Sequence, residues 1–193
     1  MDNREYEEAH ADRFTLNGNT LKMNECMDMA HYQTNMASML LLGRWFDEMR
    51  AAGVYDNTRI VLISDHGRSL RQMEELILDD GYDMEANYPL LMVKDFNAEG
   101  FETSNEFMTT GDVPTLAVNE VIENPVNPFT GNVINNEAKT AHDQYISASM
   151  EWDVNTNNGN TYIAGDWYTV HDNIFDKNNW SLYAKDTVLD SEP

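Results

Sequence analysis

Cysteine and basic residues are scarce in this sequence, and long apolar runs are missing. Cys26 is the only cysteine among 193 residues, so the chain can form neither an internal disulfide nor a cluster of thiolate metal ligands. No run of about 18 apolar residues is present, which argues against a helical membrane span. Residues 1–10 are acidic and lack an apolar stretch, unlike a signal peptide. We therefore expect any targeting signal of an exported parent protein to lie outside this chain.

The scarcity of basic residues makes the chain strongly acidic. It has 34 Asp and Glu residues against 12 Lys and Arg residues, for a formal net charge of −22. Such a charge repels the phosphates of nucleic acids and of anionic lipids, so we expect neither as a partner. It attracts divalent cations without specificity, and we expect most of these carboxylates to form a solvated surface. A hydrophobic fraction of 41% is typical of a folded globular chain.

The central part of the sequence predicts a helix followed by a buried strand. Apolar residues, many of them methionines that we assign to the core, recur at helical spacing from about residue 27 to residue 52. Gly53 then suits the position that ends a helix. After a turn at residues 54–58, the segment 59–64 contains four consecutive branched apolar residues. Strands buried on both faces have this composition, which is typical of parallel sheets.

The following segments predict two more helices and one more strand. We expect a helix over residues 69–78, a strand over 88–93 and a helix that runs from Asp112 to about residue 121 or 122. Asp112 suits the cap of that helix, and Pro114 suits its first turn. After residue 140, short aromatic-rich runs flank the Asn/Gly turn at residues 155–160, which is typical of a hairpin.

These elements predict an α/β fold in three parts. Residues 1–26 form a polar lead-in segment, and residues 27–140 form a domain with a mostly parallel sheet flanked by helices. Residues 141–193 form a small β-rich and aromatic extension. Its three tryptophans form either a small aromatic core, which we favour, or a sugar-binding platform. They are Trp152, Trp167 and Trp180.

The strongest candidate for a functional site is Asp65-His66-Gly67, directly after the predicted strand. In open α/β sheets, ligands bind outside the carboxyl ends of the strands. A carboxylate and an imidazole are suitable ligands for Mn²⁺, Zn²⁺, Mg²⁺ or Ca²⁺, and a glycine allows a sharp turn. The alternative is an ordinary strand exit, where Asp and Gly are common. On the triplet alone, that alternative is the more frequent one.

The order of the segments resembles the sulfatase family of the alkaline phosphatase superfamily. A helix precedes Gly53-Val54-Tyr55-Asp56-Asn57-Thr58, a strand and Ser64-Asp65-His66-Gly67, where the family has a G-x-Y-x-N-T turn, a strand and S-D-H-G. Tyr88-Pro89-Leu90-Leu91-Met92-Val93-Lys94 is similar to the next family strand. Asp112-Val113-Pro114-Thr115-Leu116 is similar to the family's D-x-x-P-T-L helix start, with one residue fewer before the proline. The resemblance covers about residues 30–122 and is nearest to the membrane-anchored branch similar to lipoteichoic acid synthase.

The resemblance implies a metal-dependent hydrolase or phosphotransferase that acts on phosphate or sulfate esters. In the family, one divalent ion binds an upstream acidic residue, a Thr, Ser or modified Cys nucleophile, and an Asp-His pair that Asp65 and His66 match. The chain has no Cys-x-Pro-x-Arg nucleophile motif, and Cys26 lies in a different context. The resemblance thus implies the C-terminal part of such an enzyme, with no catalytic nucleophile in this chain. The parent protein is expected on the outer face of a bacterial membrane.

Two further residues are candidates for binding an anionic group of the substrate. His31 lies in the long predicted helix, and Arg68 directly follows the Asp-His-Gly turn, where a guanidinium suits a phosphate or sulfate oxygen. The alternatives are a structural histidine and an ordinary salt bridge, and both stay open. We assign His142 and His171, in the C-terminal extension, to structure rather than to catalysis.

Two functions are compatible with this sequence. The chain is either part of an ester hydrolase or a non-catalytic, truncated or degenerate domain that acts as a binding module. In both cases we expect association, because an apolar strand without all its neighbours leaves an unpaired edge. The expected partners are a second copy of the chain or a companion N-terminal half.

Overall fold

The computed structural model describes residues 15–16, 19–20, 26–148 and 164–188. The helices of this part are α1 (Cys26–Ala51), α2 (Val113–Val118) and α3 (Asn136–Thr140). Its strands are β1 (Thr15–Leu16), β2 (Asn19–Thr20), β3 (Ile60–Ile63), β4 (Leu91–Lys94), β5 (Gln144–Ser147), β6 (Gly165–Val170) and β7 (Trp180–Thr187). Its 3₁₀ turns are Glu74–Leu76, Met84–Asn87, Thr110–Asp112 and Lys177–Asn179.

The chain divides into two compact units. Unit 1 comprises Met1–Glu74 and Glu85–Glu102, and unit 2 comprises Glu75–Met84 and Thr103–Pro193. Helix α1 and strands β1 to β4 belong to unit 1, and all later elements belong to unit 2. The three-part division expected from the sequence, with boundaries at residues 26 and 140, stays a prediction.

Helix α1 and its end confirm the predicted helix. It runs from Cys26 to Ala51, and Gly53 adopts a left-handed backbone with φ of 69°. The N–H of Gly53 donates to the carbonyl of Arg50, and the N–H of Val54 donates to that of Met49, so the last carbonyls of the helix are satisfied. Only part of the methionine stripe is core, since Met49 is buried and Met39 is exposed.

The sheet of unit 1 corrects the predicted strand direction. Strands β3 and β4 pair antiparallel, with Ile60 opposite Lys94 and Ile63 opposite Leu91. All the other strand pairs in the described ranges are antiparallel as well. The fold is therefore mixed α/β, but the mostly parallel sheet was a wrong prediction. An apolar run indicates burial and does not indicate the direction of the neighbouring strand.

The antiparallel direction goes together with the lack of a helix in the segment 69–78. Parallel strands need a long crossover, usually a helix, and the helix predicted over residues 69–78 is absent. This segment contains no α-helix, and its one helical element is the 3₁₀ turn at Glu74–Leu76. Arg71 interrupts it with a φ of 54°, a left-handed conformation that no helix contains. The chain therefore returns along β4 as the antiparallel neighbour of β3.

In unit 2, the side chain of Asp112 bonds to three other residues instead of capping helix α2. Helix α2 begins at Val113 with Pro114 in its first turn, as predicted, but it ends at Val118, and Glu120 follows with a φ of 63°. The side chain of Asp112 caps no N–H of α2, which corrects the predicted cap. Its carboxylate instead accepts hydrogen bonds from the backbone N–H of Thr109 at 2.9 Å, from Asn127 Nδ2 at 3.0 Å and from Lys139 Nζ at 2.6 Å.

The pKa of Asp112 reflects this network. Burial by itself raises the pKa of this carboxyl, but the hydrogen bonds from Lys139, Thr109 and Asn127 lower it further than burial raises it, to below its ordinary value. Asp112 is 2% exposed. The carboxylate is therefore a buried anion whose cationic partner, Lys139, is partly buried, and it links the start of α2 to α3.

The C-terminal part of unit 2 is a three-stranded antiparallel sheet in the order β5-β6-β7. Tyr168 and Val170 on the central strand are buried, as is Trp180 on β7. The Tyr168 ring stacks on Tyr82 with a centroid distance of 4.5 Å, and its hydroxyl donates to Asp80. Burial and the adjacent carboxylate raise the pKa of this hydroxyl.

Trp180 belongs to this aromatic core, as the sequence predicted. Its indole N–H donates to the carbonyl of Ile174, and that of Trp167 donates to the carbonyl of Thr187. Trp152 and the predicted hairpin at residues 155–160 lie outside the described residues. Among the helices of the described ranges, none is both long and apolar enough to cross a membrane.

Candidate metal-binding corner

The backbone of the Asp-His-Gly triplet is anchored to the neighbouring strand segment. Just after β3, the N–H of Ser64 donates to the carbonyl of Leu90 at 3.0 Å. The Oγ of Ser64 accepts from the N–H of Leu90 at 2.7 Å. This reciprocal pair extends the β3–β4 ladder by one residue. The triplet therefore leaves the sheet from a defined position.

Gly67 is needed here because of a close backbone approach rather than an unusual φ. Its N–H donates to the carbonyl of Ala86 at 2.9 Å. A Cβ at this position would lie 1.9 Å from the carbonyl oxygen of Glu85 and 2.9 Å from that of Tyr88. No side chain fits at that distance, so glycine lets the chain pack directly against the backbone of residues 85–88.

His66 presents one ring nitrogen to the exterior in a defined tautomer. Its Nδ1 lies 2.6 Å from the carbonyl oxygen of Gly67. A carbonyl only accepts hydrogen bonds, so Nδ1 carries a proton, and in the neutral ring Nε2 keeps its lone pair. A hydrogen bond from the second nitrogen to a carbonyl is a common feature of metal-binding histidines, because it fixes the orientation of the ring.

Asp65 offers a carboxylate oxygen beside that lone pair. Its Oδ1 accepts from the backbone N–H of His66 at 3.0 Å, while Oδ2 lies 3.8 Å from His66 Nε2. Two atoms bound to one ion through bonds of about 2.0–2.2 Å lie roughly 3–4 Å apart. The separation of Asp65 Oδ2 and His66 Nε2 is therefore compatible with one shared cation.

Both side chains are open to solvent. Asp65 is 88% exposed and His66 is 61% exposed, so ligands from another chain or from water can reach both atoms. Within the described ranges, no group of three or more His, Cys, Asp or Glu side chains has a geometry that holds a metal ion. Asp65 and His66 are therefore two candidate ligands with no third one beside them in the described ranges.

The other two residues predicted for the site lie in different environments. His31 is in the second turn of α1, half-buried, and its Nε2 has no hydrogen-bond partner in the described part of the chain. No hydrogen bond from Nε2 thus connects it to the corner. Arg68 is exposed and forms no ion pair with the residues that the structure describes. The ordinary salt bridge considered for Arg68 is not formed there, and its guanidinium is accessible beside the triplet.

Lys94 stabilises the turn before β3, a role that the sequence patterns did not predict. Its ammonium donates to the carbonyls of Tyr55 at 2.5 Å and Thr58 at 3.0 Å. It also lies 4.4 Å from the centroid of the Tyr55 ring. The lysine closes the Gly53–Thr58 turn from the far end of β4. A basic residue at the end of a strand and an aromatic residue in the turn are visible in the sequence, but their contact spans 39 residues.

Arg59 and Asp95 form a second link that positions β3. Arg59 precedes β3 and Asp95 follows β4, so the antiparallel register brings them together. Both Nε and Nη2 of Arg59 donate to Asp95 Oδ1, at 3.1 and 2.7 Å. The Arg59 hydrogen bond lowers the pKa of Asp95, and the N–H of Phe96 adds to this effect. The strand that carries the corner is thus fixed at both ends.

Comparison with known proteins identifies no related protein. Searches of protein-family models, of curated proteins and of solved structures find no match to the chain.

Proposed function

We propose that this chain contributes an Asp-His pair to a divalent metal site, as the C-terminal part of a hydrolase or phosphotransferase of phosphate or sulfate esters. The observation that carries the proposal is the arrangement of Asp65 Oδ2 and His66 Nε2, 3.8 Å apart and both exposed. The family resemblance of residues 30–122 supports the reaction class, with the parent protein on the outer face of a bacterial membrane.

Each residue of the corner has a separate role in this proposal. Asp65 supplies a charged oxygen ligand, and His66 supplies a neutral nitrogen ligand whose proton is held on Nδ1 by the carbonyl of Gly67. The exposed guanidinium of Arg68 binds an anionic oxygen of the ester. A bound divalent ion supplies positive charge, which lowers the pKa of a coordinated hydroxyl and stabilises charge on the transferred group. The nucleophile comes from outside this chain.

The sheet of unit 1 supports a partner that completes the site. Strands β3 and β4 pair only with each other in the described ranges, so each has one unpaired edge. Ile63, Met92 and Val93 on these strands are exposed despite their apolar side chains. A companion N-terminal half would cover them and bring the missing ligands, whereas a second copy of this chain would cover them only. Unpaired edges of this kind favour pairing with another chain.

Calorimetric titration with MnCl₂ and with ZnCl₂ tests the metal site on the purified chain. The net charge of −22 binds cations without specificity, so the control variant must remove the same charge elsewhere. Asp47 suits this purpose because it is exposed and belongs to unit 1. We expect Asp65→Asn and His66→Gln each to weaken metal binding by roughly tenfold or more, and Asp47→Asn to leave it unchanged. Equal binding by all four proteins would refute the site.

A non-catalytic binding module is the second candidate function. The observation that favours it is that no third metal ligand joins Asp65 and His66 in the described ranges. Hydrolysis of p-nitrophenyl phosphate and p-nitrophenyl sulfate with added Mn²⁺ or Zn²⁺ separates the two functions for the isolated chain. Turnover that His66→Gln abolishes supports catalysis, whereas metal binding without turnover supports the binding module or a missing companion.

A further inference from the structure

A polar cleft lies at one end of the three-stranded sheet in unit 2. It has a volume of about 480 Å³ and is lined by Ala141, His142, Asp143, Tyr145 and His171. Because Gln144 pairs with Val170 in the β5–β6 ladder, the residues just outside that pair, Asp143 and His171, lie side by side. The register of the sheet therefore builds the cleft from residues that are distant in sequence.

Asp143 and His171 form an oriented pair with free capacity for hydrogen bonds. Nδ1 of His171 lies 3.1 Å from Oδ1 of Asp143. A carboxylate accepts, so Nδ1 carries a proton, and in the neutral ring Nε2 is left as an acceptor. The side chains of His171 and Asp143 are 56% and 51% exposed. His171 Nε2 and Asp143 Oδ2 make no hydrogen bond with the residues that the structure describes.

An aromatic corner adjoins this polar pair. Tyr145 lines the cleft and contacts Tyr183 edge to face, with a centroid distance of 5.0 Å and an angle of 82° between the rings. Tyr145 is 39% exposed and Tyr183 is 48% exposed. Neither hydroxyl is hydrogen-bonded to a described residue. The sheet thus presents two accessible aromatic surfaces at right angles, next to a carboxylate and two imidazoles.

We infer that this cleft binds an uncharged, polyhydroxylated ligand, that is, a short segment of a neutral glycan. A sugar ring has an apolar C–H face that packs on an aromatic ring, and hydroxyls at its edge that bond to carboxylate and imidazole groups. The few convergent polar groups beside an aromatic surface provide both kinds of contact. The inference does not rest on the proposed metal site, which belongs to unit 1.

Charge and the arrangement of the polar groups argue against an anionic ligand and against a divalent cation in this cleft. The net charge of −22 repels an anionic ligand, and the cleft residues include no lysine or arginine to offset it. A divalent cation requires converging ligands, and His142, Asp143 and His171 do not form such a group in the described ranges. An uncharged glycan needs neither a cationic partner nor a closed coordination sphere.

Affinity gel electrophoresis of the full chain tests the inference. Each gel contains one soluble neutral polysaccharide, namely an α-glucan, a β-1,3-glucan, a β-1,4-xylan or a galactomannan. EDTA at about a hundredfold excess over protein excludes binding that depends on a metal ion. We expect retardation by at least one of them. Tyr145→Leu removes the ring and keeps an apolar side chain, and it should weaken binding by roughly tenfold, equal to about 1.4 kcal/mol. Phe175→Leu is the matched control, since Phe175 is exposed outside the cleft, and should bind as the native chain does.

Two milder variants keep the test decisive if Tyr145→Leu does not fold. Tyr145→Phe removes only the hydroxyl and Asp143→Asn only the charge of an exposed side chain, and each should weaken binding severalfold. Near-ultraviolet circular dichroism checks that each variant is folded. The inference is overturned if no polysaccharide retards the native chain, or if the folded cleft variants bind as tightly as Phe175→Leu. In parallel gels without EDTA, retardation that appears only with added Zn²⁺ would also overturn it, in favour of a cation site.

Discussion

The two units contain strands of contrasting composition, and the more apolar strand is the less buried one. Strand β3 reads Ile-Val-Leu-Ile, yet all four residues are half-buried or exposed. Strand β6 reads Gly-Asp-Trp-Tyr-Thr-Val, and its last three residues are buried. The difference lies in their neighbours, since β6 has a strand on each side, whereas β3 pairs with β4 alone among the described strands. Burial therefore follows the number of neighbours, and β3 is apolar enough for more neighbours than the described chain supplies.

The units also differ in how they use charged side chains. In unit 2, Asp112 and Lys139 form a buried pair, with side chains 2% and 16% exposed. In unit 1, Arg59 is 5% exposed but its partner Asp95 is 45% exposed, and the corner residues Asp65 and His66 are open. Unit 2 encloses its central carboxylate, Asp112, whereas unit 1 leaves the carboxylate of Asp65 open to solvent.

The largest expected effect concerns the buried pair of unit 2. Asp112→Ala leaves the Lys139 ammonium without its carboxylate and should lower the free energy of unfolding by about 3 kcal/mol. Urea unfolding measures the change. Adding Lys139→Met to Asp112→Ala removes the unpaired charge and should restore part of the loss. If Asp112→Ala costs less than about 1 kcal/mol, the network is not a determinant of stability and the contrast between the units fails.

The next largest change in the free energy of unfolding is expected at Gly67 in unit 1, where the backbone is closely packed. Gly67→Ala places a methyl group 1.9 Å from a backbone oxygen and should cost about 2 kcal/mol or more, because backbone must move. Gly43→Ala is the matched control, since its Cβ would meet nothing within 4 Å on helix α1. That change should instead stabilise the chain by about 0.5–1 kcal/mol. Thermal unfolding of both variants checks the opposite signs, and a neutral Gly67→Ala would contradict the packing at the corner.

Acid should weaken both ion pairs. The folded-state pKa values of Asp95 and Asp112 are lowered, so each group contributes stability above its unfolded pKa of about 4. This stability is lost as the pH falls through the folded pKa values. Asp95→Asn should cost about 1 kcal/mol at pH 7, because Asp95 is half exposed and water screens the pair, and the cost should shrink toward zero at low pH. Unfolding free energies at pH 7 and pH 3 test the sign, and a cost independent of pH would contradict it.

The smallest effect on stability is expected at the exposed apolar positions of β4. Met92→Thr and Val93→Thr remove apolar surface that is already in solvent, so each should change the free energy of unfolding by less than about 0.5 kcal/mol. Their combination should reduce self-association in analytical ultracentrifugation if a second copy covers β4. The unit 2 control is Leu182→Thr on β7, which is similarly exposed. A native chain that stays monomeric at about 50 μM would leave a companion chain as the expected partner.

Much of unit 1 was predictable because its signals are local. The helical spacing of apolar residues predicted α1, the glycine after it predicted its end, and the apolar run predicted β3. The predicted helix over residues 69–78 was wrong because Arg71 adopts a left-handed backbone, for which the apolar spacing carries no signal. The cap assigned to Asp112 was wrong because its charged partner, Lys139, lies 27 residues later.

At the candidate site, too, local features were predictable and those set by distant contacts were not. The triplet itself and its place after a strand could be predicted from adjacent residues. The tautomer of His66 and the close packing of Gly67 could not, because they depend on carbonyl groups whose positions follow from the folded backbone. His142 and His171 were assigned to structure, and the cleft that they line was missed because its register brings together residues 28 positions apart.

By itself, the sequence determined the acidic net charge, the long helix, the apolar strand and the Asp-His-Gly triplet that follows it, since composition and short-range periodicity act within a few residues. Only the tertiary structure decided the antiparallel direction of β4, the burial of Asp112 beside Lys139 and the meeting of Asp143 with His171. These features depend on strand register and on contacts between distant segments. Their energies come from neighbours that no local pattern specifies.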